Sequence, residues 1–91
     1  MPAPDDTEMA IAIKYDREKD NAPRVVAKGL RLKAEKIKEI AKQHGVPFMK
    51  NTTLAGALYR VEVGEEVPEE LYDAVAEVLN FVWALQQEAK K

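Results

Sequence analysis

Residues 9–15 read Met9-Ala10-Ile11-Ala12-Ile13-Lys14-Tyr15, and this alternation decides the fold. Bulky side chains fall on the odd positions, and small or polar ones on the even positions. A period of two belongs to extended chain, so the stretch reads as a strand with one bulky face and one small face. Upstream, residues 1–7 show no periodicity and carry two prolines and two aspartates. They read as a flexible tail, which leaves residues 8–91 as a single domain.

Downstream, Asp16 to Pro23 is polar, with Asp20-Asn21 as the turn. Arg24 to Ala27 reads as a second strand, β-branched at Val25 and Val26, and Gly29 breaks it. A helix over about 30–44 places Ala34, Ile37, Ile40 and Ala41 on one stripe and turns Lys33, Lys36, Lys38 and Lys42 to water. Gly45 and Pro47 end that helix. Pro47-Phe48-Met49 reads as a third short strand, and the strand–helix–strand order over 24–49 favours parallel pairing through a right-handed crossover.

Asn51 is a good N-cap for a short helix carrying Leu54, Ala57 and Leu58. A polar turn around Gly64 leads to Pro68, which suits the first position of the last helix. Leu71, Val75, Val78, Leu79, Val82 and Leu85 give that helix an apolar stripe to about residue 87. The expected fold is α/β: a small mixed sheet of about three short strands with three main helices packed around it.

The bulk numbers bound the function. A chain of 91 residues forms one small domain, and 33% charged with 46% hydrophobic residues is globular rather than disordered. There is no cysteine and no serine, so the two commonest nucleophiles are missing. The only histidine, His44, stands at a helix end, and one histidine with scattered carboxylates makes no metal site. Without a Gly-rich phosphate loop or paired catalytic carboxylates, the inventory points to a protein that is not an enzyme and takes no cofactor.

No apolar run is long enough to span a bilayer. Charge is unevenly placed: residues 23–50 carry eight Lys/Arg against two Asp/Glu, and residues 51–91 three against eight. These are read as solvated helix faces that attract each other. With a pI near 5.4 and no aromatic residues among the basic ones, nucleic acid is not an expected partner.

Five collinear stretches carry a resemblance. They are Ala10 to Asp16; Ala22 to Gly29; Ile37-Lys38-Glu39-Ile40-Ala41 with His44-Gly45-Val46-Pro47; Leu54-Ala55 with Ala57-Leu58-Tyr59-Arg60; and Gly64 to Leu79. In this order and spacing the chain resembles the C-terminal cytoplasmic domain of the FlhB/YscU family of flagellar and type III export-switch proteins. The resemblance implies a non-enzymatic component of the export apparatus. It would bind flagellar rod- or hook-type export substrates or export-gate proteins and influence substrate specificity. Its place would be cytoplasmic, peripheral at the membrane export gate. The alternative is an orphan regulatory or structural interaction domain that keeps only the fold.

In that family, self-cleavage occurs between the Asn and Pro of an Asn-Pro-Thr-His stretch. The matching positions here are Asp5, Asp6, Thr7 and Glu8. The family reaction needs the Asn amide nitrogen to attack its own carbonyl, and Asp5 has no such nitrogen, so no self-cleavage is expected. The family's substrate pocket falls on Ala22, Pro23, Ala76 and Leu79, all of them apolar here. The family's prolines and arginine near the short helix are replaced by Thr52, Thr53 and Gly56, which puts any contact through that arginine in doubt. One further family strand precedes the cleavage position. The chain therefore resembles the released fragment, and a membrane-bound FlhB stub is an expected partner through strand pairing.

Overall fold

The structure, a computed structural model, describes residues 8–16 and 18–89, with side chains described to Leu85. Asp5, Asp6 and Thr7 lie outside the described residues. Strand β1 spans Met9–Lys14 and β2 spans Arg24–Leu30; helices α1, α2 and α3 span Leu32–Gln43, Thr52–Leu58 and Tyr72–Ala89, and a 3₁₀ turn at Glu69–Leu71 leads into α3. The architecture is α/β, as the pattern predicts.

The strands pair antiparallel, from Met9 opposite Leu30 to Lys14 opposite Arg24. The register shifts between Ala12 and Ile13, which face Ala27 and Val25, so Val26 is an extra residue in β2. This β-bulge settles which valine is core. Val25 is 0% exposed and Val26 45%. Ile11 and Ile13 share the face that packs on the core of Val25, Leu54, Leu58, Val61, Val67 and Val75.

The opposite face of the sheet carries Ala10, Ala12 and Gly29, and α1 packs there with Ala34 fully buried. The small side chains let a helix approach closely. A Cβ added at Gly29 would stand 2.6 Å from Lys33 Cγ. Gly29 is therefore part of β2 rather than its terminator, and the strand runs three residues further than expected. Lys33 is exposed as expected, with the base of its side chain over Gly29, whereas Lys38 departs from the expected solvated face: it is half-buried and forms an ion pair with Glu8.

The expected third strand at 47–49 and its parallel crossover do not form: the described residues contain a two-stranded sheet, and 46–50 carry no strand. Pro47 takes a donor from a segment of three residues. The edge of β2 that a crossover strand would use is already occupied. Val25 N–H donates to the Glu65 carbonyl at 3.1 Å, the Val25 carbonyl accepts from Gly64 N–H at 2.7 Å, and the Pro23 carbonyl accepts from Val67 N–H at 2.8 Å.

Helix α1 ends as its sequence dictates. Gly45 takes φ 69°, its N–H donates to the Lys42 carbonyl, and Val46 N–H reaches back to Ala41. This is a Schellman motif, in which a left-handed glycine satisfies orphan helix carbonyls. The start of α1 is unusual: Arg31, which is not glycine, takes φ 53° and offers no side-chain cap. Its N–H donates to the Glu8 carbonyl at 2.8 Å, and its carbonyl accepts from Glu35 N–H at 3.0 Å. The two bonds hold a backbone conformation that costs about 1–3 kcal/mol. Asn51 caps α2 as expected, its side chain accepting from Leu54 N–H at 3.0 Å.

Candidate partner-docking surface

The four residues expected to form a pocket divide into two kinds. Ala22 and Pro23 lead into β2 and are both buried. Pro23 is no exposed contact residue: it is buried, and its carbonyl accepts from the N–H of the core residue Val67. Leu79 on α3 is half-buried against the same core. Ala76, one turn earlier, is exposed rather than core. Pro23 and Leu79 both adjoin the core that contains Val67, Pro23 through the Val67 main chain and Leu79 through its own side chain. Of the four, Ala76 is exposed and Leu79 partly so, and they offer the accessible part of the surface.

Helix α3 exposes further apolar side chains, Tyr72 on the Ala76 side of its buried stripe and Phe81 and Leu85 on the other. Val75 is the last fully buried residue among the described side chains of the helix, and Val78, Leu79, Val82 and Trp83 are half-buried. Leu85 does not join the core that its place on the stripe predicts. The sequence signal for this exposure is the run from Val78 to Gln87, which contains no charged residue. The run exceeds what one buried face needs, so some apolar side chains must face outward.

A second set of exposed apolar side chains, Val46, Phe48 and Met49, follows α1 where the third strand was expected. Glu8, Leu30, Arg31, Leu32 and Glu35 line an open hollow at the junction of β2 and α1, where Leu32 is 84% exposed. Among the described residues no cluster of metal-ligating side chains occurs, and no helix is long and apolar enough to cross a membrane. What this arrangement offers chemically is apolar contact area beside polar rims, suited to a polypeptide ligand.

The chain belongs to the FlhB HrpN YscU SpaS family, whose model matches residues 5–82. It is 49% identical over 82 residues to the flagellar biosynthetic protein FlhB of Salmonella typhimurium, an alignment covering 89% of this chain and 21% of that protein. The chain therefore spans about a fifth of the length of the FlhB relatives it matches. It is 40% identical to YlqH of Bacillus subtilis, over 89% of this chain and 87% of that one. Among solved structures, the cytoplasmic domain of FlhB from Shewanella putrefaciens superposes with a TM-score of 0.86 at 38% identity, over 90% of this chain and 64% of that one. The PscU C-terminal domain gives 0.77 at 35% identity, over 80% and 94%.

Proposed function

We propose that this domain is a non-enzymatic component of a flagellar or type III protein export apparatus, which binds export substrates of the rod and hook type or export-gate proteins and influences which substrates pass. The observation that carries this reading is the collinear family match over residues 5–82, together with Ala76 and Leu79 as an accessible apolar surface. The proposed place is the cytoplasmic side of a membrane export gate, a reading supported by the likeness to the cytoplasmic domain of FlhB.

Because Pro23 is buried, a charge there would test folding before binding. Ala76→Asp is the cleaner probe. Titration calorimetry with the N-terminal segment of a hook or rod subunit should show binding by the wild-type domain. Binding should fall at least about tenfold, or 1.4 kcal/mol, in Ala76→Asp, with an unchanged melting temperature. Equal binding by the two proteins contradicts the proposed surface.

The domain is also proposed to remain intact. With Asp5 in place of the family's asparagine, the amide nitrogen that closes a succinimide is absent. Days of incubation at neutral pH should leave the 10.2 kDa mass unchanged. A fragment beginning at Asp6 would refute this.

A further inference from the structure

The two edges of the sheet are treated differently. On β2, Val25 and Pro23 turn their main-chain groups outward and meet Gly64, Glu65 and Val67. On β1 the bond from Arg31 N–H to the Glu8 carbonyl marks Glu8 as facing β2. Alternation then turns Ala10 and Ala12 toward β2, and Met9, Ile11 and Ile13 away from it. The pairing of Ile13 with Val25 agrees, since Val25 spends its own groups on Gly64 and Glu65. Among the described residues, no main-chain group meets Met9, Ile11 or Ile13 on their outer side.

Edge strands are normally guarded by proline, by a charge within the strand or by a bulge. Here Met9 to Ile13 contains no charge and no proline, and the bulge lies in β2. The charges stand only at the two ends, Glu8 before the strand and Lys14 at its close. Glu8 is half exposed and Lys14 exposed, and both lie on the face that carries α1.

We propose that the outer edge of β1 pairs antiparallel with the same edge of a second copy of this chain, about a two-fold axis at Ile11. This proposal rests on the strand edge alone and is independent of the export reading. In this register Ile11 faces the partner's Ile11, Met9 faces the partner's Ile13, and Glu8 faces the partner's Lys14. All three outward residues of each strand then exchange both main-chain hydrogen bonds. Lys14 meets the partner's Glu8, which also pairs with Lys38 of its own chain, on the same face of the joined sheet. Sliding the pair so that Glu8 meets the partner's Asp16 sets like charges together and loses one outward pair. A two-fold axis makes the contact self-complementary, so it closes as a dimer instead of growing into a fibre.

Sedimentation equilibrium between about 10 μM and about 1 mM should show the mass rising to twice that of the monomer. Met9→Pro removes an outward donor without touching the ladder to β2, a place where an edge strand tolerates proline, and should hold the chain monomeric. Lys14→Glu turns two attractive cross-strand pairs into repulsive ones and should weaken association about tenfold. Adding Glu8→Lys to Lys14→Glu should restore it. Should Met9→Pro fail to fold, amide exchange of the unaltered protein decides. The N–H groups of Met9, Ile11 and Ile13 should gain protection with concentration, while those of Ala10 and Ala12 should not. A monomer across the whole range overturns the proposal. So does a dimer insensitive to Lys14→Glu, or a chain that captures an added FlhB-stub strand peptide and never itself.

Discussion

Lys28 stands with its ammonium 4.9 Å from the centre of the Tyr59 ring and donates to the Tyr59 main-chain carbonyl at 2.8 Å. The same ammonium donates to the Val61 carbonyl at 2.9 Å. Tyr59 caps the end of α2, where carbonyls lose their helical partners, so one strand lysine satisfies groups that the helix leaves open. A cation at that end also complements the helix dipole. Sheet and helix are thereby joined by a polar contact at the border of the core.

Lys28→Met keeps the length of the side chain and removes the donors. Urea denaturation should report a loss of about 1.5–3 kcal/mol, the range for hydrogen bonds to a charged group. A loss below about 0.5 kcal/mol, the scale of an ordinary surface change, would mean that water replaces the ammonium without penalty.

Alanine at two glycines should act in opposite directions. At Gly29 the new Cβ would lie 2.6 Å from Lys33 Cγ and 2.7 Å from Lys33 Cβ, atoms too near the α1 backbone to swing aside. Gly29→Ala should cost about 1–3 kcal/mol. At Gly56, inside α2, no atom beyond its chain neighbours and the helix's own backbone lies within 4 Å of the place a methyl group would take. Gly56→Ala should stabilise by up to about 1 kcal/mol, the difference in helix propensity. Thermal melts that move in the same direction for both variants would contradict this account.

The Asn51 cap should be worth about 0.5–2 kcal/mol, read as the loss in Asn51→Ala by chemical denaturation. Asn51→Asp keeps the acceptor and should come within about 0.5 kcal/mol of the wild type.

Burial outweighs surface charge in this domain. Leu58, 2% exposed in the core, should cost about 2–5 kcal/mol as Leu58→Ala. The ion pair of Arg24 with Glu66, 3.4 Å apart and nearly half exposed on both sides, should contribute under about 1 kcal/mol, so Glu66→Gln should barely shift the denaturation midpoint.

The features legible in the sequence are those whose cause is local. The alternation in Met9–Lys14, the Asn51 cap and the Gly45 exit each act through a few neighbouring residues, and each is found as read. What escaped depends on partners far along the chain. The strand expected at 47–49 fails because residues 64–67, unremarkable as a polar turn, take the edge of β2. Lys28 looks like any strand lysine until α2 brings two carbonyls to it. For the docking surface, residue types indicated Ala76 and Leu79, but nothing local tells that Pro23 is covered and that Tyr72 and Phe81 are not.

The extra residue in β2 has one more consequence, and it concerns a missing hydrogen. In an unbroken ladder, counting back from Ala27 opposite Ala12 would turn Pro23 toward β1, into a place that calls for an N–H it does not have. Val26 shifts that count by one. Pro23 then faces the other way, toward Val67, where an N–H approaches and only a carbonyl is required. The irregularity in the sheet thus lets an imino acid stand at the mouth of a strand with no donor wanting.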